Sequence, residues 1–235
     1  MQIKKKLVVF TGAGMSQESG IQTFRDSGGL WEQYKIEDVA TPEAWKRNPE
    51  LVLNFYNERR RQIMSAKPNY GHKLLADLEE KYDVHIITQN IDDLHERAGS
   101  TKVMHLHGEI MKSQSTFSSK LVYSMNDWKI KIGDLCEKGS QLRPFIVWFG
   151  EEVPMMSQAM ELVADADVFV IVGTSLNVYP AAGIIHYVPE TCPKYLIDPG
   201  DFSSHLLVNI NHLQESASEG IKKLAAQLNS QLGAN

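Results

Sequence analysis

The sequence predicts a doubly wound α/β fold, in which helices cover both faces of a parallel sheet. Three observations support this class. Several apolar, β-rich runs are continuous rather than alternating, which is typical of strands buried on both faces. Segments with helical periodicity fall between these runs. Each run ends in a short polar loop, and ligands of such folds bind beyond the carboxyl ends of the strands. The loops are therefore expected to converge on one site.

Four strands are predicted, each followed by a small polar loop. They are residues 7–10, 85–88, 168–172 and 194–197, and their loops begin at Thr11, Gln89, Gly173 and Asp198. Helices are predicted between or after them, over residues 69–82, 93–98, 157–164 and 215–232. Gly99 is suited to end the second of these helices.

Two stretches interrupt the alternation of strands and helices. Residues 32–68 have a helical pattern, with Pro49 as a suitable start for one helix through residue 64. Residues 110–140 are polar, rich in Ser and Lys, and contain short strand-like pieces such as 120–123. We therefore expect a smaller lobe built from the insertions 32–68 and 110–140. The Rossmann-like domain is then formed by residues 1–31, 69–109 and 141–235.

Composition and charge are those of an ordinary folded protein of 235 residues. Hydrophobic residues make up 43% and charged residues 23%, which suffices for a full core. The net charge of −5 argues against a nucleic-acid partner. No stretch reaches the ~18 apolar residues of a membrane span, and the apolar run near the start is too short for a signal peptide. With two cysteines and no disulfide framework, a cytoplasmic protein is expected.

The loop after the first strand begins like a dinucleotide-binding fingerprint and then departs from it. Gly12 and Gly14 occupy the first two positions of G-x-G-x-x-G, but the third falls on Gln17. No second strand ends in an acidic residue about 20 positions later, as a nicotinamide dehydrogenase requires. The amides of residues 12–16 could still hold a pyrophosphate, with added charge from Arg25. The alternative is a tight turn without a ligand, but the three further polar strand ends favour a ligand.

Five segments in this order resemble the sirtuins, the NAD-dependent protein lysine deacylases. They are GAGMSQESGIQTFRD (12–26), TQNIDDLHERAG (88–99), HLHGE (105–109), RPFIVWFGE (143–151) and GTSLNVYPAAG (173–183). Taken singly, His107 is explained as an ordinary histidine, and Asn90 and Asp92 as turn residues. The combination over nearly the whole chain favours the functional interpretation.

The resemblance implies that NAD is consumed as a co-substrate. The acyl oxygen of a modified lysine attacks the ribose as nicotinamide leaves, and a histidine of near-neutral pKa acts as base. His107 is the implied base, and Asn90 and Asp92 hold the ribose and the nicotinamide amide. The other implied cofactor-binding residues are Gly12, Ala13, Gly14, Ser16, Gly20, Ile21, Phe24, Arg25, Trp31, Gln89, Ile91, Gly173, Thr174, Ser175, Asp198 and Ala217. Phe24 is expected to shield the reacting face from water.

The partner implied by the resemblance is an acylated lysine of a protein substrate, bound as an extra strand between the lobes. Val147, Trp148, Phe149 and Gly150 border this cleft, although Trp148 alone is almost equally well explained as a buried aromatic residue. No nucleic acid or membrane partner is expected, and the oligomeric state stays open.

The segment 54–64 gives the acyl pocket its predicted chemistry. Tyr56 shares a helix face with both Arg59 and Arg60, and the blander interpretation is a solvated basic stripe. Sirtuins that remove succinyl and malonyl groups carry Tyr-x-x-Arg here, so the resemblance selects Tyr56 and Arg59. A guanidinium and a hydroxyl together suit an acyl chain that ends in a carboxylate.

Many sirtuins hold a structural zinc between the two conserved halves of the chain. The corresponding positions here are Ser115, Ser118, Cys136 and Gly139, which leaves one thiolate of four. Serine is a poor zinc ligand, so no structural zinc is predicted.

Two functions rival the deacylase: an NAD hydrolase or ADP-ribosyltransferase on the same scaffold, and a catalytically silent NAD- or ADP-ribose-binding module.

Overall fold

A six-stranded parallel sheet carries the fold in the computed structural model, which describes residues 3–22, 34–174, 176, 178–201 and 210–232. The chain forms nine described strands: β1 (Lys6–Thr11), β2 (Asp83–Thr88), β3 (Val103–His105), β4 (Gly108–Ser115), β5 (Val122–Ser124), β6 (Leu142–Ile146), β7 (Val168–Val172), β8 (Lys194–Ile197) and β9 (Ile210–Leu213). The large sheet has the order β3-β2-β1-β7-β8-β9, and all of its pairings are parallel. The predicted doubly wound fold is confirmed.

The strand ends of the large sheet are level at the edge where the polar loops begin. Thr11 pairs with Thr88 on one side and with Val172 on the other, and Val172 pairs with Ile197. The strand order reverses direction between β1 and β7. In open α/β sheets, this reversal creates the crevice in which ligands bind.

The described helices are α1 (Gly14–Gln17), α2 (Ile36–Val39), α3 (Pro42–Arg47), α4 (Pro49–Ser65), α5 (Tyr70–Asp77), α6 (Leu94–Ala98), α7 (Met156–Ala164) and α8 (Ala217–Leu232). Short 3₁₀ helices follow at Leu78–Glu80 and Ala181–Tyr187. Local sequence explains their ends. Asn48 accepts a hydrogen bond from the Leu51 amide at 3.0 Å, with Pro49 in the first turn. Gly99 ends α6 with a φ of +110°.

Apolar layers cover both faces of the large sheet. Leu7 and Val9 of β1 pack on the side of α5 and α8, whereas Val8 and Phe10 pack on the side of α7. All four side chains are fully buried. This two-sided burial is why the strands read as continuous apolar runs rather than alternating ones.

The small antiparallel sheet has the order β5-β4-β6, beside the helices α2 to α4. This differs from the predicted division of the chain, which left residues 108–109 and 141–146 with the large domain. Strand β6 contains Pro144 and lies at the edge of the small sheet, where proline is tolerated. The strand predicted at 120–123 begins later, at Val122.

A buried arginine ties helix α4 to the other segments of the small lobe. Arg60 is fully buried and donates from Nε to the carbonyl of Ile110 at 2.6 Å and from Nη1 to that of Trp128 at 2.8 Å. Nη1 also donates to Asn57 Oδ1 at 3.0 Å, and Asn57 Nδ2 donates to the carbonyl of Ile130 at 2.8 Å. Burial lowers the pKa of Arg60 to about 10, so the guanidinium stays charged at neutral pH.

Candidate functional site

Two glycine loops interlock at the crevice between β1 and β7. The amide of Gly12 donates to the carbonyl of Val172 at 3.0 Å, and that of Gly14 donates to the carbonyl of Gly173 at 2.8 Å. Gly173 has a φ of +61°, and a Cβ there would lie 2.4 Å from the Met15 nitrogen. Only glycine permits this approach. The amides of Gly12 and Gly14 therefore have partners within the protein, and the role of this loop in holding a pyrophosphate stays a prediction.

Three predicted residues form one hydrogen-bonded network beside this crevice. Asn90 Nδ2 donates to the carbonyl of Gly12 at 3.0 Å and to Ser16 Oγ at 3.2 Å. Ser16 Oγ in turn donates to Asp92 Oδ2 at 3.0 Å. Burial raises the pKa of the Asp92 carboxyl, against the hydrogen bonds from the Leu94 amide and Ser16 that lower it. The network fixes the Asn90 and Asp92 side chains relative to the glycine loop.

His107 contacts the loop after β2 and has a defined tautomer. Its Nδ1 lies 3.0 Å from the carbonyl oxygen of Gln89, which can only accept, so Nδ1 carries the hydrogen and Nε2 is the acceptor nitrogen. Burial lowers the pKa of His107, although the bond to Gln89 opposes this. The side chain of Gln89 donates to Thr174 Oγ1 at 3.1 Å, which links the loops after β2 and β7. A neutral histidine of this tautomer can act as a base through Nε2.

His105 also contacts the loop after β2, and sequence reasoning did not single it out. Its Nδ1 lies 2.9 Å from the carbonyl oxygen of Asn90, and its Nε2 lies 2.7 Å from Glu96 Oε1. The signal was present in the spacing: His105 and His107 alternate around the fully buried Leu106, so both point to the same side of the chain.

A buried polar layer supports the strand ends from inside the protein, and it too was not predicted. Thr11 Oγ1 donates to Thr88 Oγ1 at 2.8 Å and lies 3.2 Å from His95 Nε2. The rings of His72 and His95 have centroids 4.7 Å apart. Burial lowers the pKa of both rings, that of His72 to about 4, so both are neutral at physiological pH.

The two candidate arginines of the acyl pocket, both on helix α4, have different surroundings. Burial raises the pKa of the Tyr56 hydroxyl, and the charge of Arg59 is the strongest opposing influence. Burial lowers the pKa of Arg59, against the charges of Tyr56 and Asp92. Arg59 is therefore near both Tyr56 and the network residue Asp92, whereas Arg60 donates to backbone carbonyls of the small lobe.

The segment after β6 forms a tightly held turn. Trp148 is 2% exposed and packs in the same apolar cluster as Tyr56. The guanidinium carbon of Arg143 lies 3.6 Å from the centroid of the Trp148 ring. Arg143 donates to both carboxylate oxygens of Glu151, at 2.8 and 2.9 Å, and Glu151 Oε2 accepts from the Trp148 amide at 2.8 Å. Trp148 is thus a buried wall residue, whereas Phe149 is 44% exposed.

The turn also reaches His107. The amide of Val147 donates to the carbonyl of His107 at 3.0 Å, and the exposed Gly150 follows two residues after Trp148 with a φ of +91°. The segment predicted to border the substrate cleft and the predicted base are therefore neighbours in space, joined by a backbone hydrogen bond.

Among the described residues, the other predicted cofactor-binding residues are not part of the Asn90–Ser16–Asp92 network. Gly20 has a φ of +82°, and Ile21 packs against the small-lobe cluster. The carbonyl of Ile91 accepts from the amide of Ile110 at 2.8 Å. Asp198 Oδ1 accepts from the Gly200 amide at 2.9 Å, and the buried Ala217 begins α8. Ala13 is the N-cap of α1. Phe24, Arg25, Trp31 and Ser175 lie outside the described residues.

The position of the zinc ribbon holds a hydroxyl–thiol pair. Ser115 Oγ lies 3.1 Å from Cys136 Sγ, and the Lys138 amide lies 3.4 Å from the same sulfur. Across the described ranges, no three His, Cys, Asp or Glu side chains are grouped so as to hold a metal ion. Nor does any helix in the part of the chain with described coordinates have the length and apolarity to span a bilayer.

Comparisons with known proteins agree with this arrangement. A model described as the Sir2 family matches residues 12–180. A relative from Bacteroides thetaiotaomicron, named NAD-dependent protein deacylase, is 54% identical over 225 residues, 94% of this chain and 96% of the relative. A solved Sir2 homologue mutant in complex with ADP-ribose matches with a TM-score of 0.88 at 38% identity, over 99% of this chain and 95% of that chain. Another solved Sir2 mutant, with a deacetylated p53 peptide and 3'-O-acetyl ADP-ribose, matches with a TM-score of 0.82 at 31% identity, over 95% and 94%. The chain belongs to the Sir2 family.

Proposed function

We propose that this protein is an NAD-dependent protein lysine deacylase that releases nicotinamide and O-acyl-ADP-ribose. The observation that carries the proposal is the state of His107, whose Nδ1 is committed to the Gln89 carbonyl and whose pKa is lowered by burial. The ring therefore offers Nε2 as a base at neutral pH. The name of the Bacteroides relative and the ADP-ribose complex of the Sir2 homologue support the same activity.

The residues around His107 have distinct parts in this proposal. Bound NAD supplies the nicotinamide–ribose bond, which breaks as the acyl oxygen of the lysine attacks the ribose. His107 Nε2 accepts a proton from a ribose hydroxyl. Asn90 and Asp92 orient the ribose and the nicotinamide amide, and Ser16 joins their side chains into one unit. Such a unit is ordered before substrate arrives, which reduces the entropy lost on the way to the transition state.

The two rival functions are separated by one assay. An acetyl-lysine peptide is incubated with NAD, and deacylated peptide and nicotinamide are measured together. Equal release of both supports the deacylase. Nicotinamide release that is independent of peptide indicates an NAD hydrolase, ADP-ribose transfer to the peptide indicates a transferase, and no turnover indicates a binding module. The backbone hydrogen bond from Val147 to His107 supports the deacylase, since the segment proposed to bind the peptide lies next to the proposed base.

We further propose that the acyl pocket accepts succinyl and malonyl groups as well as acetyl. The proposed pocket residues are Tyr56 and Arg59, which lie three residues apart on α4, and the charge of Arg59 acts on the Tyr56 hydroxyl. A half-buried guanidinium there suits a carboxylate, to which it can make two parallel charge-assisted hydrogen bonds. Arg60 is not suited to this role, because its side chain is fully buried and its Nε and Nη1 donate to carbonyls of the small lobe.

Replacement of Arg59 by Met is expected to lower kcat/KM for a succinyl-lysine peptide by about 10- to 150-fold, the range for a lost charge-assisted hydrogen bond of ~1.5–3 kcal/mol. Turnover of the acetyl peptide should change far less, since acetyl has no carboxylate. The matched control is Arg61→Met, which removes an exposed guanidinium from the same helix. An equal fall for both peptides, or a selective loss in Arg60→Met instead, would show that Arg59 does not read the carboxylate.

The absence of structural zinc is also a testable proposal. Purified protein is expected to contain no stoichiometric zinc, because serine and glycine replace three of the four thiolates. Incubation with a strong chelator should leave the melting temperature and deacylation unchanged. Metal analysis that finds one tightly held zinc per chain would show that other residues complete a site.

A further inference from the structure

Two histidines clamp consecutive carbonyl groups of the loop that follows β2. His107 Nδ1 donates to the carbonyl of Gln89 at 3.0 Å, and His105 Nδ1 donates to that of Asn90 at 2.9 Å. The second ring nitrogen distinguishes them, because His105 Nε2 also has a partner, Glu96 Oε1 at 2.7 Å. The His105 side chain is 7% exposed and that of Glu96 is 40% exposed. His105 thus bridges the loop to helix α6.

The bridge requires a particular charge state. A carbonyl oxygen and a carboxylate oxygen only accept hydrogen bonds, so both ring nitrogens of His105 must carry hydrogens. Burial would lower the pKa of His105, but the hydrogen bond and the charge of Glu96 raise it above the ordinary value. The same bond lowers the pKa of Glu96, which burial alone would raise, and Lys112 acts in the same direction. The pair is therefore an imidazolium and a carboxylate.

Charged groups on the neighbouring elements act on this cation in a consistent way. Glu109 of β4 raises the pKa of His105, as Glu96 of α6 does. In the loop after β2, the positive charge of His105 favours the ionised form of Asp92. On α6, it disfavours protonation of His95, which stays neutral.

We propose that His105, as its imidazolium, is a positioning residue for the deacylation reaction: it binds the Asn90 carbonyl to Glu96 and so holds the Asn90–Asp92 segment in place. This rests on the proposed function, in which Asn90 and Asp92 orient NAD. When His105 loses its proton, one of its two hydrogen bonds is lost, and the Asn90 carbonyl is no longer linked to Glu96 of α6. The value of kcat/KM for NAD therefore falls at alkaline pH as His105 deprotonates.

The test uses Glu96→Gln, which keeps an oxygen acceptor at a partly exposed position and removes the charge. With an acetyl-lysine peptide, the alkaline limb of kcat/KM for NAD is expected to move about one to two pH units lower, the equivalent of one charge-assisted hydrogen bond. The acid limb should stay in place, because it reports His107. Glu219→Gln, which removes a carboxylate paired with Lys222 on the surface of α8, is the matched control and should shift neither limb.

A direct readout of the ring completes the test. The ¹⁵N chemical shifts of His105 at pH 6.5, the ordinary pKa of histidine, should show mostly two protonated nitrogens in the wild type and a larger neutral fraction in Glu96→Gln. An unmoved alkaline limb, or a neutral His105 ring in the wild type, would overturn the positioning role. Failure of the proposed function is a separate outcome, since it would appear as nicotinamide release without deacylated peptide, or as no turnover, whatever the state of the His105 ring.

Discussion

Substitution of His107 by Ala is expected to lower kcat for deacylation by ~10²-fold or more, the usual contribution of a positioned general base. No other side chain in the proposed mechanism removes the ribose proton. His107→Asn sharpens the comparison, because an amide can still donate to the Gln89 carbonyl but cannot accept the proton. Both variants should bind ADP-ribose with near-native affinity in calorimetry, which separates loss of chemistry from loss of the site.

The pH profile provides an independent test of the same assignment. The base must be neutral to act, and burial lowers the pKa of His107 below the ordinary value of 6.5. Activity should therefore persist as pH falls through 6.5 and decline only at lower pH, as the ring becomes protonated. Near-normal kcat in His107→Ala, or an acid limb that is identical in that variant, would remove His107 from the mechanism.

Replacement of Arg60 by Met is expected to destabilise the fold by on the order of 3–5 kcal/mol. The fully buried Arg60 guanidinium donates to the carbonyls of Ile110 and Trp128, and methionine would remove the donor from both oxygens. Chemical denaturation measures the effect. Arg61→Met, on the exposed side of the same helix, should stay within ~0.5 kcal/mol of the wild type.

The catalytic consequences of Arg60→Met distinguish it from a pocket variant. Succinyl and acetyl turnover should fall together, in proportion to the fraction of folded protein. A stability close to that of the wild type would mean that the small lobe does not depend on this arginine.

Much of the fold was predictable, because the strands of the large sheet coincide with continuous apolar runs in the sequence. Strands β7 and β8 begin and end where the apolar runs do, at Val168–Val172 and Lys194–Ile197. The predicted helix over 69–82 instead becomes 3₁₀ at Leu78, since helical periodicity does not report the switch to i+3 bonding. Pairing of β6 with β4 was not predictable from 142–146, because it depends on a partner more than 25 residues away.

The candidate site shows the same division between local and distant information. Asn90, Asp92 and His107 could be named from motifs, and the structure brings the first two together through Ser16. The Arg143–Glu151 pair could not be found from the sequence, which does not show that Arg143 lies over the Trp148 ring or that Glu151 accepts from the Trp148 amide. Arg59 and Arg60 are three and four residues after Tyr56, so both are its neighbours on a helix surface. Only the packing of the helix gives them different partners.

Helix α4 uses consecutive residues for unrelated tasks, and this limits how the protein can be redesigned. Tyr56 and Arg59 face the proposed acyl pocket, whereas Asn57 and Arg60 bind the backbone of the small lobe. Deleting one residue early in the helix would shift every later side chain by one position, so that Asn57 would occupy the place of Tyr56 and Arg60 that of Arg59. Directed evolution toward new acyl groups should therefore tolerate substitutions at 56 and 59 but reject changes in helix length. Libraries that vary side chains on a fixed α4 register are the productive ones to screen.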